Sequence, residues 1–415
     1  MTTQAEERAT AAPPRPARGR VRRWWRRKPV RTSLVLAHRW TSLVLGLFLV
    51  LETTSGAVLL YRAEIFRATH AEFYRHTDSA HPIGLQQARE IVAKAHPEFQ
   101  AAWVSNEHGI IAVGDPRYTT AYAVDPGTGR INGSAELNDG VMGWLANLHD
   151  CGFTCEGYAG YVPWLAAPSP VATANWGQLA LVVLGLLMIL LAVTGLITWW
   201  PGIRKLSHRF RVRTQGSRFA RDFDLHNVIG IIALPFVLMW GVTGAAFYLP
   251  GVETAWLTIT GGSAPEENRY SFTPNPAAAG AQDIGVDRAA QAAVRHSAGE
   301  VRYLVAPQQD TDYYTVNIAS DYAPYGERAF FGGDTTVYVD RYDPGHVSVV
   351  DDAGQPAANA FYDKVFEPAH FGWLVDGWWR VIWLVLGLAP LALMLTGLST
   401  WLYRSGVRRR RRRAA

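Results

Sequence analysis

Four stretches of the chain are almost unbroken runs of apolar side chains: residues 34–61, 177–200, 226–249 and 380–403. About 20 helical residues, rising 1.5 Å each, cross the hydrocarbon of a bilayer. Each run is that long. A single run of this kind also suits a buried core helix, but four in one chain point to membrane spans. The expected fold is therefore an all-α membrane core of four transmembrane helices, carrying small folded domains in its two long connections. The division that follows is a segment 1–33, a span 34–61, a domain 62–176, a span 177–200, a loop 201–225, a span 226–249, a domain 250–379, a span 380–403 and a tail 404–415.

The two long connections change pattern. Residues 84–132 begin with a helical repeat, LQQAREIVAKAH, followed by strand-like runs near 101–104, 110–113 and 120–124. The turn Asp125-Pro126-Gly127-Thr128-Gly129 closes this unit. Residues 285–350 repeat the order, with helix VDRAAQAAVRHSA, strands near 301–305, 313–318 and 335–339, and a turn at Asp343-Pro344-Gly345. Both read as small α+β modules. Residues 265–281, rich in Pro, Ala and Asn, read as a linker.

Composition supports this picture. Only 18% of residues are charged against 49% hydrophobic, which is low for a soluble chain of this size. Many of the 16 Trp flank the apolar runs, where amphipathic rings favour the membrane boundary. The arginines and lysines fix an expected orientation. Arg20, Arg22, Arg23, Arg26, Arg27, Lys28 and Arg31 precede the first span. Arg204, Lys205, Arg209, Arg211, Arg213, Arg218 and Arg221 fill the short middle loop, and Arg404 and Arg408–Arg413 form the tail. All lie on one side, which the positive-inside rule makes cytoplasmic. Both termini are then cytoplasmic, and 62–176 and 250–379 are extracytoplasmic, in a multi-pass protein of the cytoplasmic membrane. Topology and contact with anionic lipid account for the basic runs, so nucleic acid is not an expected partner. The first apolar run is too long for a cleaved leader. Cys151 and Cys155 fall in an outside connection, where a disulfide is expected. A zinc site with the neighbouring His149 is the alternative.

The chain also reads as two copies of one plan: span, outside domain, span. The first and third spans each begin at a His, with a Gly 18 residues on: His38 to Gly56 and His226 to Gly244. A hydroxyl residue precedes each Gly (Ser55, Thr243), and a Tyr closes each span (Tyr61, Tyr248). The second and fourth spans share Thr-Gly-Leu and Thr-Trp, at Thr194, Gly195, Leu196, Thr198, Trp199 and at Thr396, Gly397, Leu398, Thr400, Trp401. Small residues at such places let helices approach closely. Each outside region also carries a Trp-neighboured His before its second span, His149 in GWLANLHD and His370 in EPAHFGWL. The first copy has an insertion after its His, CGFTCEGYAGYVPWLAAPSPVATA.

On these residues the chain resembles the PepSY-associated transmembrane proteins. The resemblance rests on EPAHFGWLVDGWWRVIWLVLGLAPLALMLTGLSTWLYR, on the His-Arg-Trp start of the first span and on Thr-Gly-Leu-x-Thr-Trp-Trp-Pro in the second. It covers roughly residues 30–405, with the outside modules similar to PepSY domains. The family includes iron-regulated membrane proteins and di-haem ferric-siderophore reductases. The resemblance implies two haem b groups, electron transfer across the inner membrane and reduction of an iron chelate outside. The Cys-x-x-x-Cys insertion departs from the family pattern and bears on the geometry around His149.

Four histidines are the expected haem-iron ligands. Haem iron takes one or two axial ligands, commonly His, and ionisable groups at span ends are costly unless used. His38 and His226 stand at one end of their spans and His149 and His370 at the other, about 30 Å away. One metal cannot draw on both levels, so pairing must run between copies: His38 with His226, His149 with His370. Interface packing is the alternative for His38 and His226, whereas His149 and His370 could sit on interfacial helices or coordinate something other than haem. Arg39 could pair with haem propionates or snorkel to headgroups. Glu52, inside the first span, could support a haem, serve proton movement or stay neutral. His70, His76, His81, His96, His108, His208, His296 and His346 read as loop or surface residues. No Gly-x-Gly-x-x-Gly follows a strand, so a separate electron donor, a quinol or a cytoplasmic reductase, is expected, with a ferric siderophore or other iron chelate as acceptor. A non-redox PepSY regulator of peptides or proteases, or a component of an iron or chelate transporter, are the rival functions.

Overall fold

The computed structural model describes residues 28–171, 174–202, 204, 210–249, 251–263, 272–278, 280–309, 312–319, 332–333, 335–350, 355–374 and 377–414. Arg20, Arg22, Arg23, Arg26, Arg27, Lys205, Arg209, His208 and much of the 265–281 linker lie outside the described residues.

Four helical segments are long and apolar enough to cross a membrane. The first is α1 (Lys28–Leu59), followed by the short α2 (Arg62–Thr69), then α3 (Leu85–Ala95) and α4 (Gly140–Cys151). The second span is α5 (Trp176–Trp199) and the third α6 (Arg218–Ala246). The fourth is α11 (Arg380–Gly387) continued by α12 (Ala389–Ala414). Between them lie α7 (Val252–Thr260), α8 (Val286–His296), α9 (Ala357–Phe361), a π-helical turn (Tyr362–Phe366) and α10 (Glu367–Phe371). The spans form a ring in which α1 packs on α5, α5 on α6, α6 on α12 and α12 back on α1. Val44, Leu47, Phe48 and Leu51 of α1 and Val183, Leu186, Leu190 and Val193 of α5 point outward and exposed. Apolar stripes this long on an outer surface suit lipid and not water.

Local chemistry sets the ends. Asn175 and Gln178 form a reciprocal capping box that starts α5. Ser217 accepts from the Ala220 amide and starts α6 two turns before the expected residue 226. Those turns hold because Asp222 is buried against the Ser399 hydroxyl of α12 at 2.5 Å and beside Arg218 and Arg221. The fourth span is broken at Leu388. Pro390 has no amide to donate and its ring crowds the carbonyl four residues back. The helix ahead of the break still packs tightly, with Gly387 against Ala57 of α1. Gly185 and Gly241 meet each other's carbonyls and bring α5 and α6 close, a contact that sequence reading missed.

The two connections build one antiparallel sheet. Its strands are β1 (Trp103–Glu107), β2 (Ile110–Gly114), β3 (Thr120–Val124), β4 (Ile131–Glu136), β5 (Glu300–Val305), β6 (Tyr314–Ala319), β7 (Thr335–Val339) and β8 (Val347–Val350), in the order β4-β3-β2-β1-β5-β6-β7-β8. The modules expected as separate bodies are joined where β1 meets β5, through Trp103↔Val305, Val104↔Leu304 and Ser105↔Tyr303. β4 and β8 extend each unit beyond the turn expected to close it, because Asp125 and Asp340 stand at hairpin corners. Asp125 accepts from the Thr77 and Gly127 amides, and Asp340 from those of Asn275, Tyr342 and Asp343. Period-2 alternation puts Val104, Ile111, Val113, Leu304, Val316, Ile318 and Val337 under α3 and α8. Trp103, Ala112, Ala121 and Tyr303 form the core of the other face.

Candidate functional site

At the end of the bundle remote from the sheet, His38 of α1 and His226 of α6 face each other, with ring centroids 6.3 Å apart. The His38 Nδ1 lies 3.1 Å from the Thr194 hydroxyl of α5. That hydroxyl donates its own hydrogen to the Leu190 carbonyl at 2.6 Å, so it accepts from Nδ1–H. His226 Nδ1 donates to the Leu393 carbonyl at 3.0 Å and lies 3.1 Å from the Thr396 hydroxyl of α12. The residue after each threonine is Gly195 or Gly397. A Cβ added there would come within 3.2 Å of His38 Cε1 or 3.4 Å of His226 Cε1.

The sheet-side level repeats the arrangement. His149 stands near the end of α4 and His370 near the end of α10, three and two residues before the left-handed glycines Gly152 and Gly372 that stop these helices. Their ring centroids are 6.1 Å apart. His149 Nδ1 donates to the Glu52 carbonyl at 2.8 Å and lies 3.3 Å from the Ser55 hydroxyl. His370 Nδ1 meets the Thr243 hydroxyl at 2.6 Å, and that hydroxyl donates to the Met239 carbonyl. Glycine again follows: the site for a Cβ on Gly56 is 2.5 Å from His149 Cε1, and on Gly244 it is 3.5 Å from His370 Cε1.

A hydroxyl residue followed by glycine thus cradles each of the four imidazoles. The hydroxyl accepts the Nδ1 hydrogen of His38 and His370 and stands beside the carbonyl that accepts it at His149 and His226. The glycine borders each ring, and at Gly56 and Gly195 a Cβ would crowd it. Each cradle belongs to the same half of the chain as its His, whereas each His pair joins the two halves. With Nδ1 protonated, the Nε2 lone pair is left for a metal, and no Nε2 of the four has a hydrogen-bond partner among the described residues. Two imidazoles sharing one metal at about 2 Å each have ring centres roughly 6 Å apart, the spacing at both levels. The 18 residues from His38 to Gly56 separate the levels by about 27 Å.

The donor set also discriminates between metals. No group of three or more His, Cys, Asp and Glu side chains gathers as ligands among the described residues. Cys151 and Cys155 are bonded to each other, which removes them as zinc ligands. Two imidazoles alone do not make a structural zinc site, which takes four protein ligands. They suit a metal that brings its own equatorial donors, as haem iron does.

The insertion after His149 braces the site. Cys155 donates its amide to Asn147 of α4 at 3.1 Å, and Asn175 at the start of α5 donates to Thr154 at 2.9 Å. Arg39 lies beside His38, with its Cζ 5.3 Å from the centre of the Trp40 ring and a buried Nε that has no partner among the described residues. Sequence reading missed the role of two indoles. Trp240 donates to the His370 carbonyl at 3.1 Å, and Trp383 donates to that of Ala369 at 2.8 Å, fixing the short α10. Among the other histidines, His96 stacks on Tyr122 and His346 sits beside Asp340, both on the sheet domain and away from these pairs.

A family model described as the PepSY-associated TM region matches residues 35–404. An uncharacterised protein of Pseudomonas aeruginosa is 28% identical over 248 residues, which is 55% of this chain. The chain spans about 59% of the length of that relative.

Proposed function

The chain belongs to the family of PepSY-associated transmembrane proteins, and on that premise we propose that it is a di-haem b membrane oxidoreductase that carries electrons across the cytoplasmic membrane to a ferric chelate outside. It is a multi-pass membrane protein, with four helices of spanning length and composition. The observation that carries the proposal is the pair of two-imidazole levels, each with Nδ1 hydrogens committed and Nε2 lone pairs open. His38 with His226 and His149 with His370 would each hold one haem. A haem supplies one-electron ferric/ferrous chemistry.

The protein's own residues supply the rest. The Thr194 and Thr243 hydroxyls and the Glu52 and Leu393 carbonyls fix the ring tautomers, and Gly56 and Gly195 leave space that a side chain would take from the rings. The buried Arg39 Nε offers a charged donor to a carboxylate such as a porphyrin propionate. The two halves, each with spans and a four-stranded α+β unit, read as repeats, and the halves of the sheet as PepSY-like domains. The basic residues at the end remote from the sheet support cytoplasmic termini and a sheet domain outside, where a ferric siderophore would meet it. Ferrous iron is held less well by hard oxygen ligands, so reduction would release it. A separate quinol or cytoplasmic reductase would supply the electrons.

The test is a haem count with a reduced-minus-oxidised spectrum on the purified protein. Wild type should carry two b-type haems per chain, and His226→Ala should retain one. A colourless, folded protein would refute the proposal and favour a non-redox regulator or a transporter component.

A further inference from the structure

We propose that Glu52 is a buried counter-charge that sets the reduction potential of the sheet-side haem below that of the other, acting through His149. The inference rests on the di-haem reading and concerns how its two centres differ. Glu52 lies inside α1, and its carboxylate Oε1 is 3.1 Å from His149 Nδ1, with both side chains mostly buried. Its second oxygen, Oε2, is buried and has no hydrogen-bond partner among the described residues. The Nδ1 hydrogen goes to the Glu52 backbone carbonyl, so the carboxylate acts on the imidazole as a neighbouring charge.

Among the described residues, the other three histidines have no carboxylate within ion-pair distance. His38 and His370 turn Nδ1 to a threonine hydroxyl, and His226 to a hydroxyl and a carbonyl. The fold itself does not require an acid at this place. Counting from the aligned histidines, Glu52 in α1 corresponds to Trp240 in α6, and Trp240 holds the His370 backbone through its indole. The same corner is thus built with an uncharged residue in the second half. A carboxylate inside a span is costly unless it serves a purpose.

The electrostatics give the direction. A carboxylate behind a metal-bound imidazole makes the ligand more basic, and a nearby negative charge in a medium of low dielectric favours the more positive, ferric state. Glu52 thus lowers the potential of the His149/His370 centre relative to the His38/His226 centre. The electron leaves from the stronger reductant, on the side that faces the sheet domain. The balance is one electron gained by the acceptor for one lost by ferrous iron, with no atom transferred.

The experiment is a spectroelectrochemical redox titration of the haem-loaded protein, comparing wild type with Glu52→Gln and Glu52→Asp. Gln keeps the shape and removes the charge; Asp keeps the charge. The expected result is two haems in every form, with one of two midpoint potentials raised in Glu52→Gln by a tenfold change in equilibrium or more, about 59 mV for one electron. The other potential stays in place, and Glu52→Asp stays near wild type. Unchanged potentials in Glu52→Gln, an equal rise of both centres, an Asp variant that moves as far as Gln, or loss of a haem in Gln alone would overturn the proposal. A wild type without haem would instead sink the di-haem reading beneath it, so the two failures are distinguishable.

Discussion

Gly56→Ala tests the cradle directly. The new methyl carbon would lie 2.5 Å from His149 Cε1 and 2.8 Å from Nε2. Carbon atoms settle at roughly 3.5 Å from one another, so the ring must retreat by about 1 Å. Metal coordination tolerates about 0.2 Å. The retreat also stretches the 2.8 Å bond from His149 Nδ1 to the Glu52 carbonyl, a bond worth about 1 kcal/mol. Alanine in place of glycine favours the helix by about 1 kcal/mol, so the net change in folding stability is close to zero. Coordination therefore fails while the fold survives. Gly244→Ala is the matched control, because its methyl would sit at an ordinary 3.5 Å from His370 Cε1. The assay is haem per polypeptide on detergent-purified protein, with a thermal melt alongside. Gly56→Ala should lose the sheet-side haem and melt near wild type once haem loss is accounted for, and Gly244→Ala should keep both haems. Equal haem content in the two variants, or a larger loss in Gly244→Ala, would refute the reasoning.

Other perturbations separate the parts. Thr243→Val removes the single Nδ1 acceptor of His370, whereas Thr396→Val leaves His226 the Leu393 carbonyl, so Thr243→Val should weaken haem retention about 10–100-fold and Thr396→Val less, read by haem loss on dilution. Arg380→Ala should lower the thermal stability by about 2 kcal/mol, less than a fully buried pair would lose, because the buried Arg380 pairs with a partly exposed Glu64 and ties α11 to α2. Burial pushes the Asp125 carboxyl up, but hydrogen bonds from Thr77, Thr128 and Gly127 outweigh it and hold it at about 2. A depressed carboxylate stabilises the fold above its unfolded value near about 4 and stops doing so as pH falls through the folded value. Proteolysis at the β3–β4 turn should therefore accelerate between about pH 4 and 2, and Asp125→Asn should flatten that dependence.

The spans were legible because twenty apolar residues in a row have few other uses. The two His levels were legible because the 18-residue interval from His38 to Gly56 recurs from His226 to Gly244. The hydroxyl–glycine pairs were visible as points of close helix packing, but not as cradles for particular imidazoles. Which ring each pair receives depends on partners 94 to 170 residues away. β4 escaped notice because Ile131–Glu136 is too polar to alternate clearly. The start of α6 at Arg218 was hidden because its first turns are charged, and they depend on Ser399 from the fourth span to bury Asp222. The joining of the sheet could not be read at all, since β1 and β5 look like ordinary edges in their own units.

That joint also governs biogenesis. Trp103 and its partner Val305 are some 200 residues apart, so at about 5–20 residues per second a ribosome needs roughly 10–40 s to deliver the second strand after the first. During that interval β1 offers Trp103, Val104 and Ser105 as a bare rim ready to zip with any stray extended peptide. The newborn first half is thus the vulnerable stage, and a translational pause before β5 would lengthen its exposure to mispairing.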